Sequence, residues 1–253
     1  MMTQADTVGC CSCGDWRVHE LSVTNSTNLV AANFPAWEAV RADRQTAGRG
    51  RFQRGWISDE GGLWLSAVVP TGPHAADWRA LPLAVCLAVC DALQSVGLRR
   101  LRVRWPNDVL VDDRKLAGLL VDQFAPGLAV AGIGINVFNH PETHDPGLKN
   151  QVVRLADLID TPPDLRQLTR IVLDHLRRVA DQMRTDGFAS LLPRINRMWG
   201  RPRRVELDLN GDLRLGTFGG VGRDGELLLL SDSGSKAAYD ASQVRHLKEI
   251  KLL

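Results

Sequence analysis

The hydrophobic pattern of this 253-residue chain changes once, near Trp199, and that change constrains the fold more than any other feature. Before it, helical and strand periodicities are interleaved; after it, every signal is β. The stretch "RVELDLNGDLRLGTFGGVGRDGELLLL", starting at residue 204, carries Asn210-Gly211 and Asp224-Gly225. Both are hairpin dipeptides, because a type I′ turn needs positive φ at its two central residues. Strands this short hide their edges most simply by closing into a small barrel. A domain boundary is therefore expected near Gly200, and the length suits one large domain plus a small one.

Upstream, "SVTNSTNLVAANFP" reads as a loop entering a short helix capped by Ser26 or Thr27. "EAVRADRQ" and "LWLSAVVP" read as strands on either side of a glycine-rich segment. "ADWRALPLAVCLAVCDALQSVG" reads as one buried helix stopped by Gly97. "LRVRW" alternates Leu101, Val103 and Trp105 with Arg102 and Arg104, a strand with one buried face that ends at Pro106. "DVLVDDRKLAGLLVDQ" reads as a hairpin turning at Asp112 and Asp113, and "LAVAGIGINV" as a buried strand. A long helix over 162–187 places Leu165, Leu168, Val172, Leu176, Val179 and Met183 on one stripe.

A net charge of +2 argues against a protein that coats nucleic acid, so any anion site must be local. No run approaches a membrane span and no signal peptide opens the chain, which predicts a cytoplasmic protein. Of the five cysteines, Cys86 and Cys90 fit a helix core. Cys10, Cys11 and Cys13 have no His or Cys pair following at finger spacing, so they read as incidental thiols in an N-terminal tail rather than metal ligands.

Two segments carry chemistry. "GRGRFQRGW", residues 48–56, is neither a phosphate-binding Walker sequence nor a dinucleotide fingerprint. Its glycines let backbone amides approach a ligand, and Arg49, Arg51 and Arg54 can bond phosphate or carboxylate oxygens. A surface loop and an arginine-glycine nucleic-acid contact are the alternatives. In "RWPNDVLVDDRKLAG", Asn107, Asp108 and Lys115 are expected at one end of one sheet. Lys115 opens a buried run, where an ammonium is disfavoured unless it meets an acid or a ligand.

"STN" at 26–28, "QTAGRGRFQRGW" at 45–56, "RWPNDV" at 104–109, "RKLAGLL" at 114–120 and "GIGINV" at 132–137 occur together and in this order. In this the chain resembles biotin protein ligases from about Ser22 to its end. The resemblance implies an α+β fold: a mixed sheet with flanking helices of the class II synthetase/biotin ligase type, then a small C-terminal SH3-like barrel. The implied limits are a tail over 1–21, a catalytic domain over 22–199 and a C-terminal domain over 200–253. It implies that biotin and ATP, with Mg²⁺, give biotinyl-5′-adenylate and pyrophosphate, after which a lysine of a biotin carboxyl carrier protein, such as an acetyl-CoA carboxylase subunit, is acylated.

By the same resemblance, Ser26, Thr27, Asn28, Gln45, Arg49, Gly50, Arg51, Lys115 and Gly118 are biotin contacts. Arg49, Arg51, Trp56, Asn107, Lys115 and Asn136 are ATP contacts, with Lys115 and Arg51 catalytic, and no side chain is assigned to a metal. The chain departs from the family pattern at Gln53 and Gly55 in the loop, and at Arg104, where lysine is common. A homodimer fits the family, whereas DNA binding is expected to be absent because only a short tail precedes Ser22. A lipoate-type ligase of the same fold and a non-catalytic nucleic-acid-binding module are the alternatives. The "STN" and glycine-rich motifs favour biotin over the first, and Lys115 speaks against the second.

Overall fold

Eight strands form one sheet in the computed structural model, which describes residues 7–71 and 76–250. They are β1 (Thr7–Cys13), β2 (Trp16–Thr24), β3 (Glu38–Gln45), β4 (Leu63–Pro70), β5 (Leu101–Arg104), β6 (Asp108–Val111), β7 (Arg114–Ala125) and β8 (Leu128–Ile135). Their spatial order is β1-β2-β3-β4-β8-β7-β6-β5, with β2 and β3 parallel and the other neighbours antiparallel. The parallel pair is joined through the short helix α1 (Thr27–Ala31). Thr7–Cys13 and most of Trp16–Thr24 fall where a tail was expected, but they are strands of the sheet, with Cys13, Trp16 and Val18 in its core. Cys10 and Cys11 are exposed on β1.

Strand side chains alternate between faces, and the packing follows that period. Ala39, Ala67, Ala129 and Ala131 belong to the large core. Their neighbours Val40, Val68 and Val130 belong to a smaller cluster with Ala31 of α1 on the other face. The large core is roofed by α3 (Leu81–Ser95) and α4 (Leu165–Asp186). The expected single helix over 76–97 is divided, with α2 (Ala76–Arg79) separate from α3. Pro82 lies in the first turn of α3, where its missing N–H costs nothing; in a continuous helix it would break the ladder. Cys86 and Cys90 are buried in α3. The α4 stripe is buried at Leu168, Val172, Leu176 and Val179, and Asp164 caps the helix by accepting the Gln167 N–H at 2.7 Å. Among the described residues no helix is long and apolar enough to cross a membrane.

After α5 (Leu192–Trp199) the chain forms β9 (Arg204–Leu209), β10 (Asp212–Val221), β11 (Leu227–Leu230), β12 (Lys236–Tyr239) and β13 (His246–Glu249), all antiparallel in the order β12-β11-β10-β9-β13. The expected closed barrel is not formed by these pairings: among the described residues β12 and β13 remain the two edges. Asn210 and Gly211 both have positive φ, as a type I′ hairpin requires. The other expected hairpin turn is a longer loop, in which Gly225 is left-handed and Gly222 N–H bonds Glu226 O.

The two sheets share one hydrophobic core. Trp105 Nε1 donates to Gly225 O at 2.8 Å, and the Trp199 and Phe218 rings stack with centroids 3.6 Å apart. Arg102, expected on a solvated face, is buried instead, because β13 covers that face and Glu249 accepts both terminal nitrogens at 2.7 and 3.1 Å.

Gly225 is the tightest point of this junction. Its φ is +85°, and a Cβ there would lie 2.9 Å from Ala80 Cβ. Gly225→Ala therefore combines backbone strain with a steric clash, and is expected to destabilise the protein by about 1–3 kcal/mol. The check is the thermal midpoint compared with the parent protein.

Candidate functional site

On the α1 face, β4, β7 and β8 run side by side with Ser66 opposite Gly132 and Trp64 opposite Gly134; Leu120 and Gly118 continue the two rows. The side chains missing from this floor leave a cleft of about 340 Å³. The cleft is occluded by any added Cβ: at Gly134 it would lie 2.6 Å from Trp56 Nε1, at Gly118 2.8 Å from the Trp56 ring, and at Gly132 2.3 Å from Asn28 Oδ1. The local sequence is thus dictated by close approach of Trp56 and Asn28 to the sheet.

One part of the cleft is uncharged and polar. Ser26, Thr27 and Asn28 enter from the start of α1 and are all buried. Gln45, at the end of β3, accepts from Thr27 N–H at 2.8 Å and from its hydroxyl at 3.0 Å, and donates to Ser58 Oγ at 2.9 Å. Asn28 Nδ2 donates to Asp122 at 2.8 Å, while its Oδ1 accepts from Ser66 Oγ at 2.6 Å. These bonds fix which way each amide faces. Ser26 sits at the cap position, but its hydroxyl makes no capping bond and its N–H is taken by Asn25 Oδ1 at 2.6 Å.

The cationic part is built on the β5–β6–β7 hairpins. Asp108 receives Lys115 Nζ at 2.6 Å on one oxygen and Arg104 at 2.6 Å on the other. Burial pushes the Asp108 carboxyl up, but the adjacent Lys115 and Arg104 outweigh it and hold the group below the usual carboxylate range. Lys115 Nζ also lies 4.8 Å from the centroid of Trp56. Among the described residues the buried Trp56 indole N–H has no partner. Asn107 donates to Leu119 O, and Asn136, 2% exposed, accepts from Asn139 at 3.1 Å.

Residues 48–55 cross the cleft as a tight arch: Gly50 N–H bonds Arg54 O at 2.7 Å and Trp56 N–H bonds Gly48 O at 2.9 Å, with Phe52 and Gln53 both left-handed. The arch rests on the second sheet. Arg51 donates to Ala241 O and, at 2.9 Å, to Val244 O, and Arg54 donates to Arg245 O at 3.3 Å. Among the described residues no carboxylate lies within ion-pair distance of Arg51. Its guanidinium is lowered to about 10, chiefly by burial, with Asp108 opposing and Arg54 reinforcing the shift. Residues 244–247, including His246, complete the wall. Burial, then Arg54 and Arg104, push the His246 imidazole below its ordinary value, against Asp208 and Asp108.

All twelve residues that the resemblance marks as biotin or ATP contacts line this cleft: Ser26, Thr27, Asn28, Gln45, Arg49, Gly50, Arg51, Trp56, Asn107, Lys115, Gly118 and Asn136. Sequence reasoning missed the residues that hold them, namely Ser58, Ser66, Asp122 and Asn139, and the carbonyls and imidazole of β13 and the turn before it. Ser66 alone left a signal, as a polar residue inside the apolar run "LWLSAVVP".

A model of the biotin/lipoate A/B protein ligase family matches residues 21–138. The bifunctional ligase/repressor BirA of Bacillus subtilis is 31% identical over 237 residues, covering 87% of this chain and 70% of that protein. The biotin--[acetyl-CoA-carboxylase] ligase of Mycobacterium tuberculosis is 32% identical over 260 residues, 92% of this chain and 90% of that one. Among solved structures, the biotin protein ligase from Aquifex aeolicus in complex with biotin and ATP matches with a TM-score of 0.80 at 25% identity, covering 92% of this chain and 99% of that chain.

Asp108 is the joint of the cationic end. A carboxylate with a depressed folded-state pKa contributes stability that is complete above its unfolded pKa, about 3.9, and is lost as pH falls through the folded value. Asp108→Asn is expected to cost on the order of 1–3 kcal/mol at neutral pH, between the figures for exposed and fully buried pairs. It should also flatten the loss of stability below about pH 4. Denaturant melts across that pH range check both.

Proposed function

The chain belongs to the biotin/lipoate A/B protein ligase family, and on that premise we propose that it is an ATP-dependent biotin–protein ligase with the twelve cleft residues as its site. The observation that carries the reading is a single cleft joining an uncharged, amide-lined pocket to a cluster of cations. A cyclic urea with an acid tail needs that pairing: hydrogen-bonding groups of fixed sense at one end and positive charge at the other.

In the first step a biotin carboxylate oxygen attacks the α-phosphorus of ATP, and the bond to pyrophosphate breaks. Two anions must meet, so repulsion is the main obstacle, and fixed cations lower it. Lys115 faces the reacting groups and shares the single charge of Asp108 with Arg104, so the trio keeps a net positive charge. Arg51, bound only to neutral carbonyls, keeps a full charge for the adenylate. Magnesium enters with the nucleotide phosphates, as it commonly does; among the described residues no group of three or more His, Cys, Asp or Glu side chains is set to hold a metal.

In the second step the lysine amine of the carrier attacks the acyl carbon and AMP leaves. The mixed anhydride needs protection from water in between, and the arch over residues 48–55 supplies the cover. Acetyl-CoA carboxylase appears in the name of the Mycobacterium relative, and a biotin carboxyl carrier domain of that kind is the proposed acceptor in this chain's proposed compartment, the cytoplasm. The proposed division into a catalytic unit ending at residue 199 and a C-terminal unit gives each a share of the site.

Purified protein with Mg²⁺ and ATP is expected to release pyrophosphate with biotin and not with lipoate, and then to add the mass of one biotinyl group to a carrier domain. Release with lipoate alone would overturn the choice of substrate. Lys115→Ala should lower biotin-dependent pyrophosphate release by about 10²–10³-fold with an unchanged circular dichroism spectrum. Arg51→Gly removes the arch's anchor on Ala241 and Val244, so without carrier it should continue turning over where the parent stops after one adenylate per site.

A further inference from the structure

We propose that His246 is a catalytic residue of the transfer half-reaction, accepting the proton that the carrier lysine loses on acylation; this rests on the ligase reading above. Elimination within the cleft leaves one group. Its lining has five arginines and one lysine, all cations. Asp108 is engaged on both oxygens by Lys115 and Arg104, and Asp145 accepts the Gly147 N–H at 2.9 Å. His246 is the remaining titratable group, and among the described residues neither ring nitrogen has a hydrogen-bond partner.

Its surroundings suit a proton acceptor. On β13 it stands opposite Asp208 of β9 with its side chain exposed, and it lies within the electrostatic reach of Arg54 from the arch, Arg104 from β5 and Asp108 from β6. Partial burial first, and then those cations, disfavour a charge on the imidazole and bias the ring toward its neutral, proton-accepting form. The chemistry needs such a group. The carrier lysine loses one proton to solvent to become an amine; its nitrogen bonds the acyl carbon; the bond from that carbon to the phosphate oxygen breaks, its electron pair leaving on AMP. The nitrogen's surplus proton then passes to the imidazole, and later to water. The first half-reaction, a carboxylate attacking a phosphate, releases no such proton.

The half-reactions separate the possibilities. Biotinyl-adenylate is preformed on the enzyme, then mixed rapidly with a biotin carrier domain over a range of pH. His246→Gln, which keeps polarity without basicity, is expected to keep the pyrophosphate burst and lower the transfer rate by about 10²-fold. In the parent the logarithm of the transfer rate should rise with a slope of about 2 below the imidazole pKa and about 1 above it, because amine and base must both be neutral. The Gln variant should show a slope of about 1 throughout, and His246→Ala should recover rate with added imidazole. Parental transfer rate and slope in His246→Gln would overturn the proposal. So would an equal loss in both half-reactions without imidazole rescue, which marks a structural role. Absence of biotin-dependent pyrophosphate from the parent protein would remove the ligase reading itself, and it is told apart because no variant is involved.

Discussion

Three positive side chains, Lys115, Arg104 and Arg51, converge on a cleft in which, among the described residues, only one carboxylate, Asp108, pairs with any of them, and much of the structure answers to that imbalance. Like charges at this spacing repel and lose hydration when covered. Two of them share Asp108 through its separate oxygens. The third is stabilised by carbonyls of the second sheet. A site that held each cation with its own acid would be more stable and would have nothing left for an anionic substrate. The shortage of acids therefore leaves a binding potential, and the C-terminal sheet is needed to make it tolerable.

That need explains the close union of the two sheets. Arg102–Glu249 ties β5 to β13, Trp105–Gly225 and Trp199–Phe218 tie the β10–β11 part of the second sheet to the rest, and β13 with the turn before it carries the carbonyls under Arg51 and the His246 ring. A small displacement of one sheet would separate the arch from its support. The core is accordingly continuous between them.

How much of this the amino-acid sequence discloses depends on range. Periodicity located β3 to β8 and the buried stripe of α4, since both are local, but β1 and most of β2 lay in a stretch read as a tail. Asp112-Asp113 and Asn210-Gly211 announced their turns because positive φ is written into those residue types. The division of α2 from α3 was signalled by Pro82, which the apolar run around it obscured. Arg102 looked solvated because alternation says which face a side chain takes, not what later covers that face. The same limit hid Asp122 and Ser66: their partner Asn28 is about 94 and 38 positions away, and only the strand register joins them. The open pairing of the second sheet was missed for a related reason, as edges are set by pairing rather than by strand length.

The two halves of the proposed reaction make opposite electrical demands, and the fold answers them with separate elements. Bringing two anions together calls for fixed positive charge, which the β5–β7 hairpins supply from rigid strands. Admitting a lysine calls for that charge to be offset, since an ammonium is repelled by it. The wall formed by β13 and the turn before it carries backbone carbonyls, which attract a positive or polar group without attracting phosphate, and an imidazole that burial and the neighbouring arginines bias toward its neutral form. With both properties on one strand the cleft would cancel its own field. Placed on two sheets, the cations of the β5–β7 hairpins and the carbonyls before β13 border the same cleft, and the arginine arch is held by the second of these.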